Sequence, residues 1–559
     1  MIAILLAWTY IFLLSFCWGI IFLQLCAGLK SNNNKFIEIH FSIICLTGLA
    51  TITAFCSVFS LFTSIGGWVN HLLIGLPCLT VIRTAFSRTK HIFRNLNYPG
   101  SFKLIAAGAI SIILLMASWV IEHADTLTYQ VQIIKWMEEF GLVPGIVNIN
   151  ARLGLQNLWF CLTGFFSLKF IAIGHYVYLN SFVALLVVLF IMDRIHANHK
   201  KGNNKEAFLW LLLFFTAFLS YNQIRLTSSS TSSDYICAIY ILAAFYLIYN
   251  AKGYNQASVI NIFILFSFFS VAVKLSAIPI FFAAILIIFR EIKTGRIKHL
   301  IVSLTVSFLL LGSFAVRNVV SSGYILYPSP IPDVFSYQWK QQKKKVEQIA
   351  SYITIYARIQ DSYTEEKMNQ VKEMSFKQWG RIWWHQRKLI DQALIVVLLI
   401  SFCRGIYRLP KLWAKNKDYF ILYFTSLTGV AFWFLNAPDP RFGYGFILAL
   451  IGLEAMTTPW KACFVSICPT LTKAGSMLLG LTFSGYIIYR CINYVEARQI
   501  LIPLGIEKTP TTSVICNGTA FNIATSQGCG DTELPCIENP CETFEQIGND
   551  ISEGFKSKN

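Results

Sequence analysis

Two carboxylates lie three residues apart directly after an apolar run at 103–121, in the segment IEHADTLTYQ (121–130). If the helix of that run continues, Glu122 and Asp125 share one face, and two like charges at this spacing raise the pKa of one of them. Such a pair is suited to accept a proton near neutral pH. The alternative is that both carboxylates simply end a membrane span in headgroup water.

Cations and further carboxylates stand at the ends of other apolar runs. The cations are Arg152, Lys274, Arg317 beside Asn318, and Arg441, and the carboxylates are Asp234 and Asp439. Cations at such depth are costly unless they face a cavity or an anion, and arginine matches phosphate oxygens in bidentate geometry. The sequence therefore predicts a basic pocket for a lipid phosphate. Alternatively, each arginine reaches the headgroups or pairs with a neighbouring aspartate, as Arg441 and Asp439 could do.

Composition identifies the elements that must position these residues. The chain has 559 residues, of which 55% are hydrophobic and 13% charged, and its mean hydropathy is +0.57. These values and the repeated apolar runs predict a polytopic, all-α membrane protein. The net charge of +18 comes largely from short loops between the runs, where it indicates topology, so nucleic acid is not expected as a partner. The N-terminal run has no basic n-region and is expected to remain as the first span.

About fourteen spans are predicted from the apolar runs. They are 2–28, 40–64, 66–86, 103–121, 176–193, 207–222, 234–250, 257–271, 275–291, 298–316, 391–406, 418–436, 442–457 and 474–492. Basic clusters at 87–94, 193–205, 290–299 and 403–417 should be cytoplasmic, which places both termini outside. The further run 153–172 would break this parity if it crossed. We therefore expect it to lie at the outer interface, with Trp159 among its anchors.

This topology divides the chain into five regions. They are N-terminal spans (1–101), a core of spans (102–316) with a first outer loop (122–175), an external loop (317–390), C-terminal spans (391–492) and an external tail (493–559). The first outer loop contains an amphipathic segment, 129–145, and Arg152, which returns to the same surface and roofs the carboxylates.

The tail contains an even set of cysteines: Cys516, Cys529, Cys536 and Cys541. In a polar segment outside the membrane, such a set predicts disulfides, whose pairing the sequence does not give. Zinc is the alternative, but the spacings lack paired C-x-x-C motifs. The NGT sequence at 517–519 is a glycosylation site only if the host modifies asparagine.

The order of these segments resembles the GT-C superfamily of glycosyltransferases, and more closely a group of bacterial multispan proteins of GT-C type associated with surface polysaccharides. The resemblance rests on DTLTYQVQIIKWMEEFGLVPGIVNINARLG, KLSA, RNVVSSGYILYPS, APDPRFGYG and the end LPCIENP…GFK, and covers most of the chain after residue 100. Tyr129-Gln130 stands where many of these proteins have Tyr-His, so a role for that imidazole is not carried over.

The resemblance implies transfer of a sugar from a polyprenyl phosphate to a glycan or lipid-linked acceptor at the periplasmic face of a bacterial inner membrane. By position, Asp125 would be the general base and Glu122 would tune it. Phosphate binding would fall to Lys274, Arg317 with Asn318, and Arg441 or Arg152. The substrate-binding candidates are Tyr129, Asp234, Tyr324 and Asp439. Some members use a divalent metal, which Glu122, Asp125 and Asp234 could hold, but no motif here requires one.

Three alternatives remain open. A polysaccharide polymerase or ligase would also have many spans and a large outer loop, but would act on lipid pyrophosphates. A flippase or transporter would need polar residues at the bilayer midplane, which here is largely apolar, and no internal repeat is visible. A non-catalytic subunit of an export system is the third.

Overall fold

The computed structural model describes the chain except for residues 28–38, 96–99, 172, 220–226, 252–255, 361–363, 461, 507–508, 517, 525–527, 538–540 and 559. The described residues are mainly α-helical, as the sequence predicts, and a small tail with short strands follows the long helices. Asn517 of the glycosylation motif lies outside the described residues.

Long apolar helices alternate with short outer-loop helices. Up to residue 322 they are α1 (Ile2–Ala27), α2 (Phe41–Phe59), α3 (Trp68–Gly75), α4 (Ile82–Asn95), α5 (Gly100–Ser118), α6 (Val131–Glu139), α7 (Leu158–Phe165), α8 (Tyr178–Lys200), α9 (Asn204–Leu219), α10 (Asp234–Tyr249), α11 (Gln256–Val273), α12 (Ile278–Lys293) and α13 (Ile301–Ser322). The later helices are α14 (Lys343–Arg358), α15 (Glu365–Glu373), α16 (Phe376–His385), α17 (Leu389–Lys415), α18 (Lys417–Asn436), α19 (Pro440–Thr457), α20 (Ala462–Tyr494) and α21 (Ala497–Leu501).

Every predicted span contains a helix among its described residues. Within the described ranges, 9 helical segments are long and apolar enough to cross a membrane. They are Ile2–Ala27, Phe41–Phe59, Trp68–Lys90, Tyr178–Lys200, Gln256–Val273, Leu275–Lys293, Ile297–Ser322, Leu389–Lys415 and Lys417–Asn436. The other predicted spans fall short of this combined length and hydropathy. The chain is therefore an all-α membrane protein, and the strands among its described residues lie in the tail.

The first two helices approach each other closely through glycine. A Cβ atom on Gly19 would lie 2.0 Å from the carbonyl oxygen of Ile44, and one on Gly48 would lie 1.7 Å from the carbonyl oxygen of Ser15. Only residues without a side chain allow two helix backbones to approach this closely, and small residues serve this purpose widely between membrane helices. Helices α1 and α2 thus pack with their backbones in close contact.

The apolar run 153–172 does not form a long helix. Its helix α7 has 8 residues, about 12 Å at the α-helical rise, which is too short to cross a bilayer. All of its residues are buried, and the Trp159 indole N–H donates to Asn180 Oδ1 at 2.7 Å. The expectation that Trp159 anchors the run at the membrane interface is therefore wrong. Helix α7 is apolar because protein surrounds it.

The tail contains five short strands and two disulfides. Strands β1 (Thr511–Cys516) and β2 (Thr519–Ala524) pair antiparallel, and β3 (Cys536–Ile537) pairs parallel with β2. A second pair is formed by β4 (Phe544–Gln546) and β5 (Phe555–Ser557). The bonds Cys516–Cys541 and Cys529–Cys536 confirm the predicted disulfides. The strands themselves were not predicted, because each is too short to show a clear alternation of polar and apolar residues.

The tail lies against the end of α5 and against the first outer loop. The Leu504 amide donates to the Ser118 carbonyl at 3.0 Å, and the Phe555 amide donates to the Pro144 carbonyl at 3.0 Å. The Asn148 side-chain amide also donates to the Phe555 carbonyl at 3.0 Å. The end of the chain therefore contacts the segment that carries Asp125.

Candidate functional site

Three aspartates surround one arginine at the ends of the apolar helices. Arg441 Nη1 lies 3.1 Å from Asp125 Oδ2, and Arg441 Nε lies 3.7 Å from Asp234 Oδ2 and 3.5 Å from Asp439 Oδ2. Lys274 Nζ is paired with Asp234. We call these five residues the charged cluster. Its three carboxylates and two cations give a formal charge of about −1, so the cluster is mixed rather than basic.

Each member of the charged cluster stands where a helix begins or breaks. Asp234 is the first residue of α10, and Lys274 occupies an extended position between α11 and the short 3-10 turn Leu275–Ala277. Asp439 caps the N-terminus of α19, where its carboxylate accepts from the Arg441 amide at 3.1 Å. An aspartate is a favoured residue at this position because its side chain satisfies an amide that the helix leaves unpaired. The same local structure thus aligns Asp439 with Arg441.

Asp125 lies directly before a π-helical turn. Helix α5 ends at Ser118, residues 120–123 are not helical, and a π-helical turn, Thr126–Gln130, follows Asp125 and leads into α6. The expectation that Glu122 and Asp125 share a helical face is therefore wrong, because the helix does not continue through them. Glu122 is exposed, whereas Asp125 pairs with Arg441. Single π turns inside helices occur frequently at functional sites.

A buried polar network supports the π turn. The Thr126 hydroxyl donates to Gln130 Oε1 at 2.9 Å, and the Thr231 hydroxyl donates to the same oxygen at 2.8 Å. His123 Nδ1 lies 3.0 Å from Thr126 Oγ1 and accepts from the Thr126 amide at 3.2 Å. Burial lowers the pKa of His123, which keeps its imidazole neutral at pH 7. This network joins the turn to the serine-rich segment before Asp234.

Aromatic rings line the charged cluster. Lys274 Nζ lies 3.6 Å from the centre of the Phe442 ring, and the Arg441 guanidinium lies 4.8 Å from it. Tyr356, on α14 of the external loop, lies 5.9 Å from the same guanidinium. Burial and the neighbouring Asp125 raise the pKa of Tyr129, so its hydroxyl stays protonated. Rings with a few charged groups are typical of small-molecule sites.

The structure separates the four predicted cations. Lys274 and Arg441 belong to the charged cluster, whereas Arg152 lies 5.6 Å from the ring of Tyr352. Arg317 is 1% exposed, and its guanidinium donates to Gln156 Oε1 at 3.1 Å and to the carbonyl and hydroxyl oxygens of Ser60. Two of the four predicted cations thus belong to the charged cluster, and Arg317 has neutral partners instead.

Asn318 and Tyr324 also have structural partners away from the charged cluster. The Asn318 amide donates to the Ile325 carbonyl at 3.1 Å, and the Tyr324 hydroxyl donates to the Gln341 carbonyl at 3.1 Å. These contacts hold the turn that follows α13 against the external loop.

Among the described residues, no three His, Cys, Asp or Glu side chains converge so as to hold a metal ion. Glu122, Asp125 and Asp234 do not form the set that a divalent cation would need, because Arg441 lies against two of them and Glu122 is exposed. The carboxylates of the charged cluster instead face the cationic side chains of Arg441 and Lys274.

An apolar groove lies along two helices whose first turns carry members of the charged cluster. Its volume is 390 Å³, and its walls include Ile239 and Leu242 from α10 and Leu448 and Gly452 from α19. At 1.5 Å per residue, the groove begins roughly 8 to 10 Å along these helices from Asp234 and Arg441. Its walls are almost entirely hydrocarbon, so its chemistry suits an apolar chain.

A second group of charged residues lies between the first outer loop and the tail. Glu138 Oε2 accepts from the Tyr176 hydroxyl at 3.1 Å and lies 3.6 Å from Lys169 Nζ. Lys169 also approaches Asp531 of the tail at 3.9 Å. Burial raises the pKa of Glu138 to about 7, although Lys169 and Tyr176 oppose this shift. Sequence reasoning missed Glu138, since only the tertiary structure distinguishes it from its exposed neighbour Glu139.

This raised pKa predicts a pH-dependent stability. Between pH 4.5 and about 7 the folded protein keeps a proton on Glu138 that the unfolded chain has released, so this residue's contribution to stability falls as pH rises across that range and levels off above it. Across this pH range, we expect Glu138→Gln to remove roughly 3 kcal/mol from the change in the free energy of unfolding. Thermal unfolding midpoints at pH 5 and pH 8 measure it. Glu139→Gln is the control, and an equal slope for both variants would contradict the prediction.

Comparison with known proteins gives one family. The family model described as Domain of unknown function (DUF8201) matches residues 1–448. No curated protein and no solved structure matches the chain. All five residues of the charged cluster lie within the matched range, whereas the disulfide-bonded tail lies beyond it.

Proposed function

We propose that this chain, which belongs to the DUF8201 family, is a membrane glycosyltransferase that moves a sugar from a polyprenyl-phosphate donor to a glycan or lipid-linked acceptor. The main observation that supports this proposal is the position of Asp125 in the charged cluster. Its side chain is 35% exposed, whereas those of Asp234 and Asp439 are 14% and 6% exposed. Asp125 is therefore the carboxylate that an acceptor hydroxyl reaches most readily.

Asp125 acts as the general base. It takes the proton of the acceptor hydroxyl as that oxygen attacks the sugar carbon, and the bond from this carbon to the phosphate oxygen breaks. A positioned base contributes typically 10² to 10⁴ in rate. Arg441 holds the Asp125 carboxylate in one orientation through the 3.1 Å contact. Glu122 is not needed in this step, because it is exposed and lies outside the charged cluster.

Lys274 and Arg441 stabilise the charge that grows on the departing phosphate. Arg441 Nε is buried and makes no hydrogen bond with the described residues, so this N–H still lacks the partner that a buried donor requires. A phosphate oxygen would supply that partner and gain from a charge-assisted bond. Arg317 has no such role in this scheme, because its guanidinium donates to Gln156 and Ser60 and pairs with no carboxylate of the charged cluster.

The apolar groove supports a lipid-linked donor. It follows α10 and α19, the two helices whose first turns carry Asp234 and Arg441, so a donor with its phosphate at the charged cluster could place hydrocarbon between them. Burial of apolar surface contributes about 25 cal/mol per Å². A soluble nucleotide sugar would make no use of such a groove.

A direct binding experiment tests this proposal. Native mass spectrometry of the purified protein in a detergent micelle is expected to detect bound undecaprenyl phosphate, and Lys274→Met should reduce the bound fraction at least about tenfold. Lys343→Met is the matched control, because Lys343 is an exposed lysine on α14 that pairs with Glu347. Equal binding by both variants would reject the phosphate role of the charged cluster. Preferential binding of undecaprenyl pyrophosphate would instead favour a polymerase or ligase.

We also propose fourteen crossings with the charged cluster at the periplasmic face. Single cysteines placed at Lys200 and Lys411 should then react with a membrane-impermeant maleimide only after the cytoplasmic side is opened. Cysteines placed at Lys344 and Thr511 should react in intact spheroplasts. The background must lack the exposed Cys403 and Cys491. Labelling of positions 200 and 344 from the same side would contradict this topology.

A further inference from the structure

The π turn that follows Asp125 has a hydrogen bond from the far end of the chain. The Val131 amide donates to the Thr126 carbonyl, five residues back. In an α-helix it would donate to the Leu127 carbonyl, four residues back. That carbonyl instead accepts from the Gly530 amide of the tail at 2.8 Å. The Gly530 amide of the tail therefore hydrogen-bonds to the Leu127 carbonyl in place of the Val131 amide.

The tail segment that makes this contact is constrained by a disulfide of its own and by hydrogen bonds from the first outer loop. Residues 528–537, which we call the tail loop, contain the Cys529–Cys536 disulfide. Gln132 Nε2 donates to the carbonyls of Gly530 and Thr532, both at 3.0 Å. Lys135 Nζ donates to the Thr532 carbonyl at 2.9 Å and lies 3.3 Å from Asp531 Oδ1. The tail loop thus binds the π turn and the helix after it.

Gly528 shows how closely the tail loop approaches the turn. A Cβ atom there would lie 2.6 Å from the Thr128 Cα and 2.9 Å from the Leu127 carbonyl oxygen. Both atoms belong to the backbone of the π turn, so neither can move aside cheaply. Any side chain at Gly528 must push the tail loop off the turn.

The register of this turn determines where Asp125 lies. If the Val131 amide moved to the Leu127 carbonyl, the turn would hold one residue fewer, and everything before it would rotate by about 100° relative to α6. Asp125 would then leave Arg441. We infer that the tail loop holds the Thr126–Gln130 turn in its π register and thereby positions Asp125 at Arg441. The catalytic consequence of this positioning rests on the proposed function.

The buried network of His123, Thr126, Gln130 and Thr231 is the competing cause of the π register. The hydrogen bonds of this network join His123, Thr126, Gln130 and Thr231 without a tail residue. The network could therefore fix the turn alone. A test must therefore disturb the tail loop and leave this network intact.

Gly528→Ala and Gly518→Ala provide that test. Both glycines have φ of +85°, so alanine brings the same backbone strain at each position, but a Cβ atom on Gly518 meets nothing within 4 Å. Hydrogen exchange of the full-length protein is followed by mass spectrometry on peptides that cover residues 124–134. We expect exchange in Gly528→Ala to be at least about tenfold faster, and exchange in Gly518→Ala to equal that of the unmodified protein.

Equal exchange in the two variants would overturn the inference and assign the π register to the buried network. If Gly528→Ala does not accumulate, Gln132→Met removes two of the contacts and keeps the backbone, and about threefold faster exchange is then expected. Sugar transfer is measured on the same samples and should fall in Gly528→Ala alone. If the unmodified protein shows no transfer, the proposed function fails, but the exchange result still decides whether the tail loop holds the turn.

Discussion

Replacing Asp125 with asparagine is expected to reduce sugar transfer at least about a hundredfold, while the protein still inserts and accumulates. The amide keeps the size of the side chain but cannot take a proton, so only the general-base contribution is lost. Initial rates of transfer from a polyprenyl-phosphate sugar measure this effect, and surface polysaccharide in cells without a redundant transferase provides a second readout.

Glu122→Gln is the matched control for Asp125→Asn. It removes a carboxylate three residues away, but Glu122 is exposed and outside the charged cluster, so most of the activity should remain. Normal transfer by Asp125→Asn would remove the chemical centre of the proposed mechanism. Equal losses in the two variants would show that the local negative charge matters rather than the position of one base.

Arg441→Gln is expected to cause the largest loss of stability among single changes in the charged cluster. Asp125, Asp234 and Asp439 all lie within 3.1–3.7 Å of this guanidinium, so its removal leaves three carboxylates with Lys274 alone. Breaking a buried pair on one side typically costs 3 to 5 kcal/mol. Because Arg441 is 29% exposed, we expect about 2 to 4 kcal/mol, measured as a lower thermal unfolding midpoint.

A compensating change distinguishes charge from packing in this experiment. Asp439→Asn removes one negative charge, and asparagine can still cap α19 as aspartate does. The double variant Arg441→Gln, Asp439→Asn should therefore recover part of the lost stability. An unfolding midpoint as low as that of Arg441→Gln alone would indicate that the guanidinium acts by filling space. An unchanged midpoint in Arg441→Gln would contradict the ion-pair account altogether.

Much of the fold could be predicted from the sequence because the bilayer imposes long apolar helices. Each predicted span contains a helix among its described residues, and the four tail cysteines form two disulfides. The run 153–172 shows the limit of this reasoning. Hydrocarbon and the interior of a protein select the same residues, so composition alone could not tell a helix buried in protein from one at the membrane surface.

The candidate site was predicted in part. Asp125, Lys274, Asp234, Asp439 and Arg441 meet as expected, because each lies at the end of a helix, where charged residues mark the edge of the apolar region. Arg317 looked equivalent in sequence, yet it is buried among Ser60 and Gln156. These partners are distant along the chain, and no local pattern distinguishes an arginine that binds a ligand from one that holds helices together.

The contact between the tail loop and the π turn has a consequence for biosynthesis. Gln132 and Gly530 are 398 residues apart in the chain. At about 5 to 20 residues per second, the ribosome adds Gly530 roughly 20 to 80 s after Gln132. During that interval the first outer loop has no tail to bind, and by the inference above Asp125 is not yet held at Arg441. If the proposed function holds, a nascent chain that stalls within its last spans would therefore not act on lipid-linked sugars.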